Sequence, residues 1–234
     1  RNHFKLGPVK YHNVVASIKG TKYPDEYVII SGHLDSYDVA TGGIDCGTGI
    51  GPMMEAARMI ALSGAKPKRT ILFVAFAGEE FGLLGAKSYV KTHAKELGKI
   101  ANLFNRDGGP TPPVGISVPQ AMYDDFVEVC KPVKEIRADY PFEVKVAKPF
   151  KRPTQSGGTD ASVFAVEGVP TFGFNTQDIK GYNFSYGEIW HTERDLYTKN
   201  IPEYQEHAAT VTAVVALGIA NLSKQLSREG MHKK

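Results

Sequence analysis

The chain has 234 residues, of which 42% are hydrophobic and 23% are charged, as is usual for a globular protein. Its formal net charge of +3 is small and its basic residues are scattered, which argues against a nucleic-acid-binding protein. No stretch is apolar over the roughly 20 residues that a membrane-spanning helix needs, so we expect no such helix. The two cysteines, Cys46 and Cys130, do not form a disulfide framework.

The length fits a single domain, and we expect residues 1–234 to form one catalytic unit. The chain begins at Arg1 rather than at a methionine, and its first residues through Phe4 show no signal-peptide pattern. This beginning is compatible with a form trimmed from a longer precursor.

Runs rich in valine and isoleucine alternate along the chain with runs that repeat apolar residues at helical spacing. We predict strands at 14–18, 27–31, 71–77, 100–104, 114–118 and 169–174. We predict helices at 51–62, 83–90, 121–131, 159–166 and 202–222, with Pro132 ending the third. Strands that alternate with helices indicate a layered α/β fold with a largely parallel sheet.

Histidine and carboxylate side chains, which can ligate metals or transfer protons, follow several of these strands. In α/β folds, ligands bind beyond the carboxyl ends of the strands, and His33, Glu79, Glu80 and Asp107 occupy such positions. Imidazole and carboxylate ligands suit Zn²⁺, and a glutamate left unligated beside the metal suits a general base. The sequence therefore predicts a metal site at this edge of the sheet.

His33 and Asp35 are two residues apart directly after a predicted buried strand. An imidazole can bind a metal through one nitrogen while a carboxylate orients the ring through the other. A histidine that merely caps the loop is the alternative, and the residue pair alone does not decide between them.

Asp45 lies in the glycine-rich stretch 42–49, where glycines allow the chain to fold tightly around a ligand. Its two carboxylate oxygens can bridge two cations, although an ordinary turn aspartate is equally compatible with this segment. A phosphate-binding loop is a weaker alternative, because G-x-x-x-x-G-K-[ST] is absent.

Glu79 and Glu80 are adjacent carboxylates that follow a buried strand. They repel each other unless cations or protons neutralise them, so we interpret one as a metal ligand and the other as a base. Two solvated surface acids are the alternative, which the preceding apolar run disfavours.

Asp107 and His191 are weaker signals when each is taken alone. Asp107 precedes two glycines and also fits a turn aspartate. His191 follows an aromatic loop, 175–189, whose Tyr182, Phe184 and Tyr186 either line an apolar substrate pocket or pack the loop.

These motifs together resemble the co-catalytic zinc exopeptidase family, which includes leucine-type aminopeptidases, carboxypeptidase Q and glutamate carboxypeptidase II. The matching segments are 31–36, 43–45, 77–85, 105–107, 158–160 and 191–192 with Asp195, in the family's order. The stretch 27–43 is most similar to the carboxypeptidase Q branch.

The resemblance implies a three-layer α/β/α sandwich with a mixed, largely parallel central sheet. It implies two Zn²⁺ per chain, with Asp45 bridging them, His33 and Asp107 completing one site, and Glu80 and His191 completing the other. Glu79 would be the general base, and Asp35 would support His33. The implied activity is hydrolysis of a terminal bond of a peptide or dipeptide, with an aminopeptidase favoured over a carboxypeptidase Q-like dipeptidase.

Two positions qualify this resemblance. Family members often carry a second acid after the bridging aspartate, and here that position is Cys46. The segment Thr159–Asp160 matches a recurring family segment, to which we assign only support of the site or of the substrate.

Two other functions remain as rivals. A glutaminyl cyclase-type acyltransferase uses one zinc, which the full set of five ligands disfavours. A non-catalytic receptor domain on the same fold would have lost the ligands that this chain keeps. Many relatives are secreted, periplasmic or lysosomal, so we expect a secreted or periplasmic location; the oligomeric state, a homodimer included, stays open.

Overall fold

A computed structural model describes residues 7–231, so the first residues discussed above lie outside the described part. The strands are β1 Val14–Ile18, β2 Tyr23–His33, β3 Arg69–Phe76, β4 Ile100–Asn105, β5 Pro113–Val118, β6 Glu143–Val146 and β7 Phe174–Thr176. The α-helices are α1 Gly47–Leu62, α2 Leu84–Thr92, α3 Tyr123–Ile136, α4 Ala161–Val166 and α5 Pro202–Ala220. Single 3₁₀ turns lie at Leu97–Lys99, Gln120–Met122, Tyr186–Glu188 and Tyr197–Lys199. Between residues 7 and 231, no helix is long and apolar enough to cross a membrane.

The strands pair mostly in parallel. Four of them form a sheet in the order β1-β3-β2-β4, in which β2 runs parallel to both β3 and β4 and β1 is an antiparallel edge strand. The other three form a sheet in the order β6-β5-β7, parallel on one side of β5 and antiparallel on the other. The predicted mixed, largely parallel α/β architecture is therefore confirmed, although the hydrogen bonds divide the strands between two sheets.

Proline explains why the predicted strand at 169–174 is wrong for most of its length. The Leu103 N–H donates to the Pro170 carbonyl at 2.9 Å, and the Asn102 side chain donates to the Phe172 carbonyl at 3.0 Å. Pro170 has no N–H to return, so the segment lies beside β4 without forming a regular ladder. The strand β7 begins only at Phe174.

Helices cover both faces of the four-stranded sheet, as the alternation along β2 shows. Val28 and Ile30 pack in one core cluster with residues of α1, α3 and α5. Ile29 points to the opposite face and packs in a second cluster with residues of α2 and α4. Successive strand residues face opposite sides, so a strand buried on both faces is apolar throughout. This arrangement forms the predicted three layers.

Two further features of the structure differ from what the sequence predicts. Helix α3 continues through Pro132 to Ile136 instead of ending before the proline. An interior proline costs about 3 kcal/mol. Val129 and Val133 are buried on either side of Pro132, and burial of such side chains contributes about 1.5–3 kcal/mol each, which offsets this cost. The four-residue strand β6, which is largely exposed, was not predicted because it has no apolar run.

Candidate metal centre

The ends of parallel strands bring three of the predicted ligands to one edge of the sheet. Strand β2 ends at His33, and the segments that carry Glu80 and Asp107 follow the ends of β3 and β4. Because β2 is parallel to both neighbours, all three segments emerge at the same edge.

His33 contacts two of the predicted carboxylate ligands. Its Nε2 lies 2.8 Å from Asp45 Oδ1 and 3.5 Å from Asp107 Oδ1. Its Nδ1 lies 2.9 Å from the main-chain carbonyl oxygen of Asp35, so Nδ1–H donates there in the tautomer that leaves Nε2 free for a ligand. The His33 side chain is only 1% exposed, so its orientation is fixed by its surroundings.

His191 and Glu80 form the second contact of the centre. His191 Nε2 lies 2.9 Å from Glu80 Oε2, and the other carboxylate oxygen of Glu80 is buried without a hydrogen-bond partner. A buried carboxylate oxygen without a partner is costly, so a bound cation is the natural complement of this group.

The two contacts converge on Asp45. Ligand atoms of His33, Asp45 and Glu80 all lie within 4.8 Å of one another. Two ligand atoms bound to one tetrahedral Zn²⁺ at 2.0–2.2 Å are about 3.3 Å apart, close to the 2.8, 3.5 and 2.9 Å separations found here. The nitrogen and oxygen donor set and its spacing therefore fit zinc. The structure brings all five predicted ligands into this one centre.

The loop that carries Asp45 is held by Asp195. The N–H groups of Ile44 and Asp45 donate to the two carboxylate oxygens of Asp195 at 2.7 and 3.2 Å. Gly43 allows this approach, since a Cβ there would lie 2.2 Å from main-chain atoms of residues 196 and 197. Asp195, which the sequence left without a definite role, is 1% exposed and positions the loop.

Burial and mutual repulsion shift the acids of the centre. Burial, together with the neighbouring carboxylates of Asp107, Asp160 and Glu80, raises the pKa of Glu79 to about 8 against the lowering effect of His33. Burial also raises the pKa of Glu80, with Asp45 adding to the effect. Clustered carboxylates with raised pKa values are typical of functional sites.

The pKa of the His33 imidazole is also raised, but for a different reason. Burial lowers its pKa, but the hydrogen bonds to Asp107 and Asp45 outweigh burial and raise it well above the usual range. The same contact lowers the pKa of Asp45 although burial opposes this change. An anionic cluster thus stabilises positive charge at the position where a cation would sit.

Asp35 makes different contacts from those predicted. Its carboxylate is 3.9 Å from His33 Nδ1, and its carbonyl oxygen, not the side chain, accepts the imidazole N–H. The side chain instead accepts the main-chain N–H groups of Glu79 and Glu80 at 3.1 and 3.2 Å. Asp35 therefore links the ends of β2 and β3.

Aromatic rings enclose His191. The imidazole stacks on Tyr37 with ring centroids 4.1 Å apart, and on Trp190 at the same separation. His191 also has φ 58°, a left-handed conformation that is uncommon for histidine. Trp190 was visible beside His191 in the sequence, whereas nothing in the sequence pointed to Tyr37.

Cys46 occupies the position where relatives often carry an acid. Its thiol is 1% exposed and donates to the Arg106 carbonyl at 3.0 Å. Burial raises the pKa of the thiol, which keeps it neutral. Cβ atoms built on Gly32 and Gly49 would lie 3.1 and 2.5 Å from this sulfur, so the two glycines make room for it.

The Thr159–Asp160 segment lies beside the centre. Thr159 Oγ1 accepts a hydrogen bond from the Asn105 side chain at 2.6 Å. Asp160 is fully buried with no hydrogen-bond partner for either carboxylate oxygen among the described residues. Burial raises its pKa to about 7.

A cleft of about 550 Å³ opens over the candidate ligands and Glu79. Residues from several segments line it: Asp45, Glu79, Glu80, Gly82, Leu83, Lys87, Asp107, Ser156, Gly157, Gly158, Thr159, Tyr186, Trp190 and His191. Of the aromatic loop, Tyr186 lines the cleft, whereas the Tyr182 hydroxyl contacts Glu203 away from it. The loop thus contributes one aromatic ring to the cleft and uses another for packing.

Comparison with known proteins agrees with this geometry. Residues 13–215 match peptidase family M28. Carboxypeptidase Q of Rattus norvegicus is 32% identical over 231 residues, which cover 97% of this chain and 46% of the relative. The crystal structure of a peptidase M28 precursor from Shewanella amazonensis has a TM-score of 0.75 at 34% identity, over 92% of this chain and 46% of that one. BSAP, a zinc aminopeptidase from Bacillus subtilis, shares the fold with a TM-score of 0.67 at 21% identity, over 94% and 53% of the two chains.

The fold and the site together define a peptidase scaffold with a cleft at a sheet edge that candidate metal ligands line. The chain belongs to peptidase family M28, and the predicted family is confirmed. It spans about half the length of the curated relatives that it matches.

Proposed function

We propose that this chain is a zinc-dependent exopeptidase that binds two Zn²⁺ and cleaves a terminal bond of peptides or dipeptides. The observation that carries the proposal is the convergence of His33, Asp45 and Glu80 on one point, in the cleft that Glu79 also lines. A metal site with an adjacent unbonded carboxylate is the arrangement that metal-assisted peptide hydrolysis requires.

We divide the proposed ligands between two positions on the basis of their contacts. His33 and Asp107 would hold one ion, because His33 Nε2 faces the Asp107 carboxylate. Glu80 and His191 would hold the other, because their side chains meet at 2.9 Å. Asp45 lies within reach of both groups and would bridge them. When bound, zinc acidifies water and polarises the substrate carbonyl.

Glu79 supplies the proton transfers in this proposal. It accepts a proton from the attacking water and returns it to the leaving amine. Burial among other carboxylates raises its pKa to about 8, so a proton on Glu79 is held more tightly than on a solvated glutamate, which supports this role. The hydrogen bond from its N–H to Asp35 fixes the main chain at this residue.

We favour release of the N-terminal residue, with a carboxypeptidase Q-like dipeptidase as the second candidate. The second candidate is supported by the 32% identity to carboxypeptidase Q over nearly the whole chain. The five converging ligands disfavour a single-zinc cyclase and a receptor without metal. We also propose that residues 1–234 form one catalytic unit. We further propose that the protein is secreted or periplasmic.

Metal analysis coupled to a substrate panel tests the proposal. We expect about two zinc ions per chain, hydrolysis of aminoacyl chromogens and unblocked dipeptides, and loss of activity with a chelator that added zinc reverses. About one ion per chain with cyclisation of N-terminal glutamine would instead support the cyclase. Activity confined to N-acylated peptides would contradict the preference for an aminopeptidase.

A further inference from the structure

Lys87 is the one lysine or arginine among the residues that line the cleft. It lies in the first turn of α2, and its N–H donates to the Leu83 carbonyl one turn earlier. Leu83 and Lys87 are therefore neighbours on one face of the helix. Both line the cleft wall that begins at Glu79 and Glu80.

The charge of Lys87 is not used within the described part of the chain. None of the lysine and arginine ion pairs formed between residues 7 and 231 includes it. Its side chain is exposed at the mouth of the cleft. A cation that faces a ligand cleft and has no internal partner is available for an anionic group of the ligand.

The balance of charge in the cleft points to the same conclusion, which rests on the proposed function. Four lining carboxylates, Asp45, Glu79, Glu80 and Asp107, would be balanced in formal charge by two Zn²⁺. The positive charge of Lys87 then has no counter-charge among the groups that line the cleft. A carboxylate of the substrate that reaches this end of the cleft would pair with this local positive charge.

We propose that Lys87 binds the C-terminal carboxylate of a dipeptide substrate and so determines the preference for a free carboxyl terminus over an uncharged one. In a dipeptide, this carboxylate lies about one residue length, roughly 3.5 Å, beyond the scissile bond. Glu80, Leu83 and Lys87 all line the cleft, so Lys87 is placed to meet a carboxylate just beyond the scissile bond.

Another part of the cleft lining leaves room for the C-terminal residue. It consists of 156–159, and a Cβ built on Gly157 or Gly158 would meet no atom within 4 Å. This wall is therefore formed largely by main chain beside open space. We therefore expect varied side chains to be accepted on the residue whose carboxylate Lys87 would hold.

Paired substrates test this assignment. The zinc-loaded chain is assayed on leucyl-alanine and on leucyl-alaninamide, which differ only in the charge of the C-terminus. We expect the wild type to prefer the free acid. Lys87→Gln should lower kcat/KM for the acid by about tenfold, the effect of one charge-assisted hydrogen bond at an exposed site, mainly through KM. Its kcat/KM for the amide and its zinc content should not change, and Lys87→Arg should retain the preference.

Lys91→Gln is the matched control, because Lys91 is an exposed lysine one turn further along α2 that does not line the cleft. It should behave as the wild type on both substrates. An unchanged acid-to-amide ratio in Lys87→Gln, or a wild type that prefers the amide, would overturn the role of Lys87 while leaving the peptidase proposal intact. Failure of the zinc-loaded wild type to cleave either substrate would instead overturn the proposed function and this inference together.

Discussion

The carboxylate of Asp35 accepts the main-chain N–H of Glu79 at 3.1 Å. Its second oxygen accepts the N–H of Glu80 at 3.2 Å, so one side chain fixes both the proposed base and a proposed ligand. The carbonyl oxygen of Asp35 also accepts the Nδ1–H of His33. Asp35 therefore couples the position of the base to the position of the imidazole.

Asp35→Asn should reduce turnover while leaving the fold intact. One oxygen of the asparagine can still accept an N–H, but its amide N–H₂ would face the second main-chain N–H and displace it. We expect a loss of about 10- to 100-fold in kcat or in zinc affinity, as for other groups that orient ligands. Steady-state kinetics and zinc titration measure the two effects. Asp38→Asn, an exposed change in the same loop, is the control, and equal behaviour of the two variants would contradict this role.

Glu79→Gln should keep the metal and lose the chemistry. The amide preserves the size of the side chain but cannot accept a proton at neutral pH, and general bases contribute about 10²- to 10⁴-fold. We expect kcat to fall by that range with an unchanged zinc content, measured on the same preparation. Glu135→Gln, on the exposed side of α3, should have no effect. Turnover equal to that of the wild type would show that Glu79 is not the base.

Asp195→Asn should loosen the loop that carries Asp45. The buried carboxylate accepts two N–H groups, and asparagine can satisfy only one of them. We expect the free energy of unfolding of the metal-free chain to fall by about 1–3 kcal/mol, together with weaker zinc binding. Urea unfolding and competition with a chelating dye measure these changes. The neighbouring exposed change Glu193→Gln should alter neither, and a stable Asp195→Asn with normal zinc affinity would rule out the positioning role.

His207 should make the chain less stable in mild acid. Its Nε2–H donates to the Pro113 carbonyl at 2.8 Å, and its ring stacks on Tyr140, while the buried Nδ1 has no partner in the described structure. Burial lowers its pKa to about 4, from an ordinary value of 6.5. Above pH 6.5 the His207 imidazole is neutral in both the folded and the unfolded chain. Below this pH only the unfolded chain takes up the proton. The free energy of unfolding therefore falls between about pH 6.5 and 4.

The loss at His207 should approach roughly 3 kcal/mol across that interval. His207→Gln keeps an N–H donor and removes the titrating ring, so its unfolding free energy should depend less on pH. Urea unfolding at pH 7, 6 and 5 with a chelator present compares the two chains. Parallel pH profiles would contradict the assignment.

Much of the candidate site could be predicted because its residues follow strands with clear apolar runs. Ile71 through Phe76 marks a buried strand in the sequence, and the position of Glu79 and Glu80 at its end follows from that alone. The contacts across long separations could not be predicted in the same way. Tyr37 stacks on His191, and Asp195 reaches the loop of Asp45, through loops whose paths no local periodicity encodes.

The fold shows the same division between local and distant effects. Helix α3 was predicted from apolar spacing, since it buries one face that carries Phe126, Val129, Cys130 and Val133. The exposed strand β6 has no such face, and it exists because β5 offers it hydrogen bonds. Likewise, Pro132 alone predicts a helix end, and only the tertiary burial of Val129 and Val133 shows why α3 continues.

Solvent access differs sharply between the two imidazoles of the metal centre. The side chain of His33 is 1% exposed, whereas that of His191 is 30% exposed between its half-exposed aromatic neighbours. An ion held by His191 and Glu80 would therefore exchange with the medium faster than one held by the buried His33 together with Asp107. Replacement by Co²⁺ should therefore proceed in two kinetic phases, with the fast phase at His191 and Glu80, and a hybrid with two different metals should be obtainable from a single brief incubation.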